Sequence, residues 1–162
     1  MVMRRSAQEI NDLGLIESVI NEAKVCRIAL CNDGEPYVVP LSFGYSNGHI
    51  YLHSAEGGKK VEMMRKNNRV CFEIDVDIEL IESNRPCGFE MSYLSVIGFG
   101  TASFITDVEK KKEALQIIME HYTGQKEYEF DQKVLEKTLI IAISIERMTG
   151  KRSEKVTMRQ GL

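Results

Sequence analysis

The sequence predicts a mainly β domain with peripheral α-helices, in which an antiparallel sheet closes or partly closes into a barrel. Three observations carry this. Six or seven short apolar runs rich in strand formers are spread from Val25 to Lys151, several alternating apolar and polar residues. Turn residues of hairpin type, Asn32-Asp33-Gly34 and Ser46-Asn47-Gly48, separate the first of them. Helical periodicity is confined to a few stretches inserted between strands, as in barrels decorated by helices.

The N-terminal stretch becomes helical where Leu13, Ile16, Val19, Ile20 and Ala23 recur at steps of three and four. Arg4 and Arg5 precede it in an expected mobile arm. Val25 to Cys31 is a strand, and EPYVVPLSFGY follows it as the next. Proline donates no ladder hydrogen bond, so Pro40 marks an edge, a bulge or a lapse in pairing; a simple strand kink is an equal alternative. HIYLHS completes an expected three-stranded meander from Val25 to Ser54. A short helix, with Val61 and Met64 on one face, ends at Asn67 or Asn68. In RVCFEIDVDIELI the apolar residues Val70, Phe72, Ile74, Val76, Ile78 and Leu80 alternate with Glu73, Asp75, Asp77 and Glu79. That is a half-buried strand with a possible break, and its carboxylates read as a solvent face rather than a metal site. A loop then leads to MSYLSVIGFGTASFI, a long strand whose Gly98 and Gly100 mark a bend or a close approach. Thr106-Asp107 caps a helix striped by Ala114, Leu115, Ile118, Met119 and Tyr122 and ended by Gly124. A charged connection with a short helix precedes TLIIAISIERMTGK, apolar enough for a central strand.

At 162 residues the chain fits one domain, 1–162, with loose tails at 1–8 and 153–162. The formal charge of −3 offers no bulk positive field for nucleic acid. No stretch reaches membrane-span length, and MVMRRSAQEI lacks the apolar core of a signal peptide. The four cysteines show no CxxC spacing, which places the chain in a reducing cytoplasm without zinc.

The chemically richest stretch is YLHSAEGGKK, Tyr51 to Lys60. A strand passing through Gly57-Gly58 into a helix opened by Lys59 and Lys60 is the arrangement in which backbone N–H groups and the helix dipole favour an anion. The same residues also suit an ordinary strand–turn–helix connection with solvated lysines. His49 and His53 share a strand face without a visible third metal ligand, and His121 reads as a surface or C-terminal-turn residue. No serine or cysteine sits in a nucleophile signature. The Tyr93 and Ser95 hydroxyls share a face; core, solvent and ligand roles all remain open for them.

VVPLSFGY, IYLHSAEGGKK, VCFEID, YLSVIGFGTA and the terminal TGK, in this order, resemble the nitroimidazole-resistance (Nim) family. That family is a branch of the pyridoxamine 5′-phosphate oxidase-like FMN-binding split barrels. The resemblance covers roughly residues 3–155 and implies a six-stranded antiparallel split barrel. It also implies a homodimer with FMN at the subunit interface and a small planar substrate. By position it makes Val38, Val39, Pro40, Leu41 and Ser42 a flavin-lining strand in which Pro40 interrupts pairing. His53 and Ser54 then lie beside the ring system and ribityl chain, and Gly58, Lys59 and Lys60 at the phosphate. Tyr93 and Ser95 form the second wall. His53 matches the histidine near flavin and nitro substrate, a residue type that titrates near neutrality and can pass a proton. The oxidases proper carry Arg-Lys where this chain has Lys59-Lys60. Leu94 replaces the arginine of YRSV, and there is no tryptophan. Pyridoxamine phosphate is therefore not the expected substrate. The implied function is an FMN-dependent oxidoreductase reducing nitroaromatic or nitroimidazole compounds; the alternative is a non-catalytic flavin- or haem-binding or sensing protein on the same fold.

Overall fold

The computed structural model describes residues 6–153. Strand β1 (Glu9–Ile10) leads to helix α1 (Leu13–Glu22), whose N-terminus is capped by the Asp12 carboxylate accepting from the Leu15 N–H at 3.0 Å. Strands β2 (Cys26–Asn32) and β3 (Glu35–Leu41) follow. They are joined by a tight hairpin with Asp33 and Gly34 at positive φ, 52° and 82°. Next come β4 (Gly44–Ser46), β5 (His49–Ser54), α2 (Lys59–Lys66) and β6 (Arg69–Ile81). Strand β7 (Glu90–Ile105), α3 (Val108–Thr123), α4 (Gln132–Lys137) and β8 (Leu139–Arg152) complete the order.

One antiparallel sheet runs β3-β2-β6-β7-β8-β5-β4, with β1 added to β8. The meander expected from Val25 to Ser54 does not form. EPYVVPLSFGY breaks after Leu41, and its two halves become the opposite ends of the sheet. Only Ser42 and Phe43 separate those ends, so β3 and β4 lie within about 11 Å of each other. A sheet whose two ends are tethered this closely must curl on itself. The register shows how far. From Ile105 it passes to Ile140 and His53, then across the gap to Ser42, Val25 and Asp75, continuing each ladder by one or two residues. It returns to β7 at Ser95, ten residues from its start. Six strand positions with a ten-residue stagger make a barrel, open along the β3–β5 side. This is the split antiparallel barrel that the resemblance implies.

The interior is lined by Ile28, Ile50, Leu52, Phe72, Ile74, Leu94, Val96, Ile141 and Ile143, all buried. Gly98 is required by this packing: a Cβ there would lie 2.2 Å from the Phe72 ring. The expected lapse in pairing at Pro40 is absent. β2 and β3 stay in register from Cys26↔Leu41 to Asn32↔Glu35, and proline is tolerated because β3 is an edge. The irregularities lie elsewhere: in β6 between Val76 and Glu79, where Asp77 has φ 53°, and in the β7–β8 ladder between Phe99 and Gly100. β8 is central, as its composition indicates.

The tether itself is clamped. Phe43 is fully buried, and its N–H donates to the Tyr122 hydroxyl at 3.0 Å. That hydroxyl in turn donates to the Lys24 carbonyl at 2.8 Å. The His121 ring packs 4.4 Å from that of Phe43, with Nε2 2.7 Å from the Ala23 carbonyl. His121 thus closes the last turn of α3 as expected, but half-buried, and burial holds its pKa below the ordinary range. Gly44 lets α3 press close, since a Cβ would meet the Ile117 carbonyl oxygen at 2.8 Å.

The loose N-terminal tail expected over 1–8 is corrected in part: Ser6–Gln8 form a 3-10 turn with Gln8 buried. Ser153 is tied by its N–H to the Tyr93 carbonyl at 3.0 Å. Residues 1–5, with Arg4 and Arg5, and 154–162 lie outside the described residues. No described helix is long and apolar enough to cross a membrane.

Tyr122→Phe strands the Phe43 N–H and the Lys24 carbonyl together, so unfolding in urea should show a loss of about 1–3 kcal/mol. A loss below about 0.5 kcal/mol would remove the clamp from the determinants of closure.

Candidate functional site

The opening of the barrel has two lips. One is β3, whose outer edge carries backbone groups with no sheet partner among the described residues. The other is the end of β5 and the loop into α2. Continuing the β4–β5 register past Gly44↔Tyr51 sets Leu41 opposite Ser54 and Tyr37 opposite Gly58. Side chains agree: the Lys59 ammonium stands 4.9 Å over the Tyr37 ring and 2.7 Å from Glu35 Oε1. The fold therefore sets the strand that carries Val38, Val39, Pro40, Leu41 and Ser42 across the opening from the segment that carries His53, Ser54, Gly58, Lys59 and Lys60, with Lys59 as the bridging side chain. Along β3, Val38 and Pro40 turn outward while Val39 and Leu41 pack toward the core.

The second lip leaves polar groups open. Gly58 precedes α2 with φ 110°, a conformation that favours glycine, and no side chain among the described residues caps the helix. Its carbonyl accepts from the Val61 and Glu62 N–H groups at 3.0 and 3.1 Å. The N–H groups of Lys59 and Lys60 then have no partner among the described residues. Added Cβ atoms at Gly57 or Gly58 would meet nothing within 4 Å, so the approach is open. Beside it the Ser54 Oγ is enclosed with no hydrogen-bond partner among the described residues. A hydroxyl left so costs about 1–3 kcal/mol, and a ligand oxygen would relieve it. These features fit a phosphate end. Lys60 forms no ion pair among the described residues and can serve that anion. Lys59 differs: Glu35 engages it, and each holds the other in its charged form, Glu35 below and Lys59 above its ordinary pKa.

His53 is exposed at the lip, on the outer face of β5. His49 is turned to its own hairpin, Nδ1 2.9 Å from the Asn47 carbonyl, with its ring stacked on Tyr51. Among the described residues no three His, Cys, Asp or Glu side chains are placed to hold a metal. The four cysteines are free, and burial pushes the Cys26 thiol up to about 12, so it is no nucleophile.

Tyr93 and Ser95 are not brought to the lips of the same chain. They occupy the outer face of β7, with β2 and β6 between them and β3, three strand spacings or about 14 Å away. Arg27 fills that interval, 3.1 Å from Glu73 Oε2 and also bonded to Asp75. Burial and the Asp75 charge push the Glu73 carboxyl up. Leu94 faces the core, 1% exposed, so position 94 presents nothing to this face. Sequence reasoning missed Glu35, Tyr37 and Asn32. These cluster around Lys59 at a depression of about 490 Å³ partly lined by Asn32, Glu35 and Met63. Asn32 Nδ2 donates to the Met63 carbonyl at 3.1 Å while its Oδ1 is enclosed without a partner among the described residues. Only the hairpin's position beside α2 creates that cluster, and no local sequence signal marks it.

Ser54→Ala should stabilise the ligand-free chain by about 1 kcal/mol in chemical unfolding, because it deletes an unsatisfied buried hydroxyl. Unchanged or lower stability would show that the hydroxyl is already satisfied.

Residues 14–152 match the pyridoxamine 5′-phosphate oxidase family. A crystal structure described as a candidate 5-nitroimidazole antibiotic resistance protein from Bacteroides thetaiotaomicron superposes with a TM-score of 0.80. It is 36% identical over 89% of this chain and 86% of that one. The FAD and haem binding protein of Mycobacterium smegmatis superposes with a TM-score of 0.82 at 17% identity, over 94% of this chain and 76% of its own, and shares the fold. An uncharacterised protein of Rhizobium meliloti is 33% identical over 58 residues, 36% of this chain and 38% of that relative.

Proposed function

This chain belongs to the pyridoxamine 5′-phosphate oxidase family, and from that membership we propose a single-domain, cytoplasmic, FMN-dependent oxidoreductase that reduces nitroaromatic compounds of the nitroimidazole type. The carrying observation is the uncapped start of α2, with the orphan Ser54 hydroxyl beside it, facing the free edge of β3. Gly58 and Lys60, with the α2 N–H groups, would hold the phosphate. The backbone from Val38 to Ser42 would border the ring system. Bound there, FMN would supply the electron transfer, with an external reductant as donor. His53, exposed at the same lip, would order a nitro substrate and deliver a proton to it. Likeness to the Bacteroides protein supports the substrate class. The competing reading is binding without turnover, of flavin or haem. It draws support from the Lys59–Glu35 pair, which leaves one phosphate-facing lysine, and from the Mycobacterium protein of the same fold.

We also propose a homodimer with FMN at its interface. The ribbon of β6 and β7 beyond the Asp77 bulge leaves Ile78, Leu80, Phe89 and Met91 between 46% and 57% exposed. A two-stranded ribbon so apolar is marginal alone and marks a contact surface. In this proposal the second copy supplies Tyr93 and Ser95 to the lips, which one chain does not achieve.

Purified protein should be yellow or take up FMN on titration, and Lys60→Ala should weaken FMN at least tenfold, about 1.4 kcal/mol. Failure to bind FMN under any loading condition sinks the cofactor assignment. Turnover of a nitroimidazole with chemically reduced FMN selects the oxidoreductase; tight binding with no turnover selects the competing reading. Sedimentation should give a dimer for the wild type and a monomer for Leu80→Asp combined with Met91→Asp. A wild-type monomer at micromolar concentration would refute the interface.

A further inference from the structure

The terminal TGK of the last strand has no place in the site as built so far. Gly150 explains itself by packing, because a Cβ would meet Ile10 at 2.8 Å and Ile16 at 3.0 Å. Strand alternation then turns Thr149 and Lys151 to the outer face. There Lys151 pairs in register with Ser95, and its Nζ lies 5.3 Å from the centroid of the Tyr93 ring. The other register partner of Ser95 is Asp75, which Arg27 already engages. Lys151 itself has no carboxylate at ion-pair distance among the described residues. Two residues along the same face, Ile97 is 45% exposed.

This wall thus combines an aromatic ring, a hydroxyl, an exposed aliphatic side chain and one ammonium steadied over the ring, whose cross-strand neighbour Glu9 on β1 makes no ion pair with it. An apolar platform with a single cation at its side suits a planar heteroaromatic ring that carries negative charge at one edge. We infer that Lys151 is a cofactor-binding residue, supplying the cation of the second wall to the pyrimidine side of the flavin ring. The inference rests on the flavin reading and on a second copy bringing this wall to the lips. It goes beyond that reading by setting a redox preference. A nearby cation favours the reduced ring, which gains negative charge, over the neutral oxidised ring. Lys151 therefore discriminates between redox states where Lys60, holding a phosphate charged in both, does not.

The experiment compares the affinities of the apoprotein for oxidised and for dithionite-reduced FMN, by anaerobic titration, together with the midpoint potential of the bound flavin. Lys151→Met should change oxidised affinity less than threefold, weaken reduced FMN at least tenfold and lower the potential. Lys151→Arg should restore both readouts. Arg147→Met serves as control, because Arg147 packs 4.4 Å over Phe99, four residues further along β7, and should leave the ratio unchanged. If the wild type binds FMN and Lys151→Met weakens both forms equally or neither, the Lys151 assignment is overturned while the flavin reading stands. If the wild type binds no FMN, the flavin reading falls first. Lys60→Ala should weaken both redox forms alike, and a redox-selective loss there would also overturn the division of roles.

Discussion

The connection of β3 to β4 through Ser42 and Phe43 governs the rest of the molecule. It forces the two ends of a seven-strand path to face each other, and so turns an open sheet into a barrel. Phe43 cannot move outward without breaking its hydrogen bond to Tyr122, uncovering a fully buried ring and disturbing the helix that His121 ends. The same tether prevents complete closure. β3 and β4 belong to one run of chain, so β5 pairs with β4 but diverges from β3, and the slot between them persists. The opening follows from the covalent chain rather than from a weakness in packing.

The open polar groups of β3 and α2 then collect at that slot. Its edges supply backbone groups that a closed barrel would have paired, and α2 begins at one end with its first N–H groups uncapped. The hydrophobic interior lies behind, so a ligand in the slot would have one dry side. Glycine is used sparingly here: Gly58 for its φ of 110°, Gly98 and Gly44 for close approach of neighbours.

Charge on the outer surface divides into pairs already made and cations left open. Arg27 serves Glu73 and Asp75, Lys59 serves Glu35, and Arg69 serves Glu146. These pairs are largely exposed and contribute little to stability, so their effect is to occupy cations that an anion could otherwise recruit. Lys60 and Lys151 are the cations near the two candidate walls without such partners among the described residues. That contrast orders the lysines by availability, which the Lys59-Lys60 dipeptide alone does not.

Sequence alone determined the local elements: the apolar stripe of α1, the start of α3 at Thr106-Asp107, and the hairpin turns at Asp33-Gly34 and Asn47-Gly48. It also carried the strand alternation, the break in β6 and the likeness to a split-barrel family, because propensity, capping and period are written within a few residues. The passage of a strand through Gly57-Gly58 into a helix opened by Lys59 and Lys60 was legible for the same reason. Tertiary structure decided what depends on contacts distant in the chain. It split EPYVVPLSFGY between two sheet edges, gave Lys59 to Glu35 twenty-four residues away, half-buried His121 against Phe43, and set Tyr93 and Ser95 apart from His53. Strand order follows from how all the apolar faces enclose one interior. No window of residues contains that information.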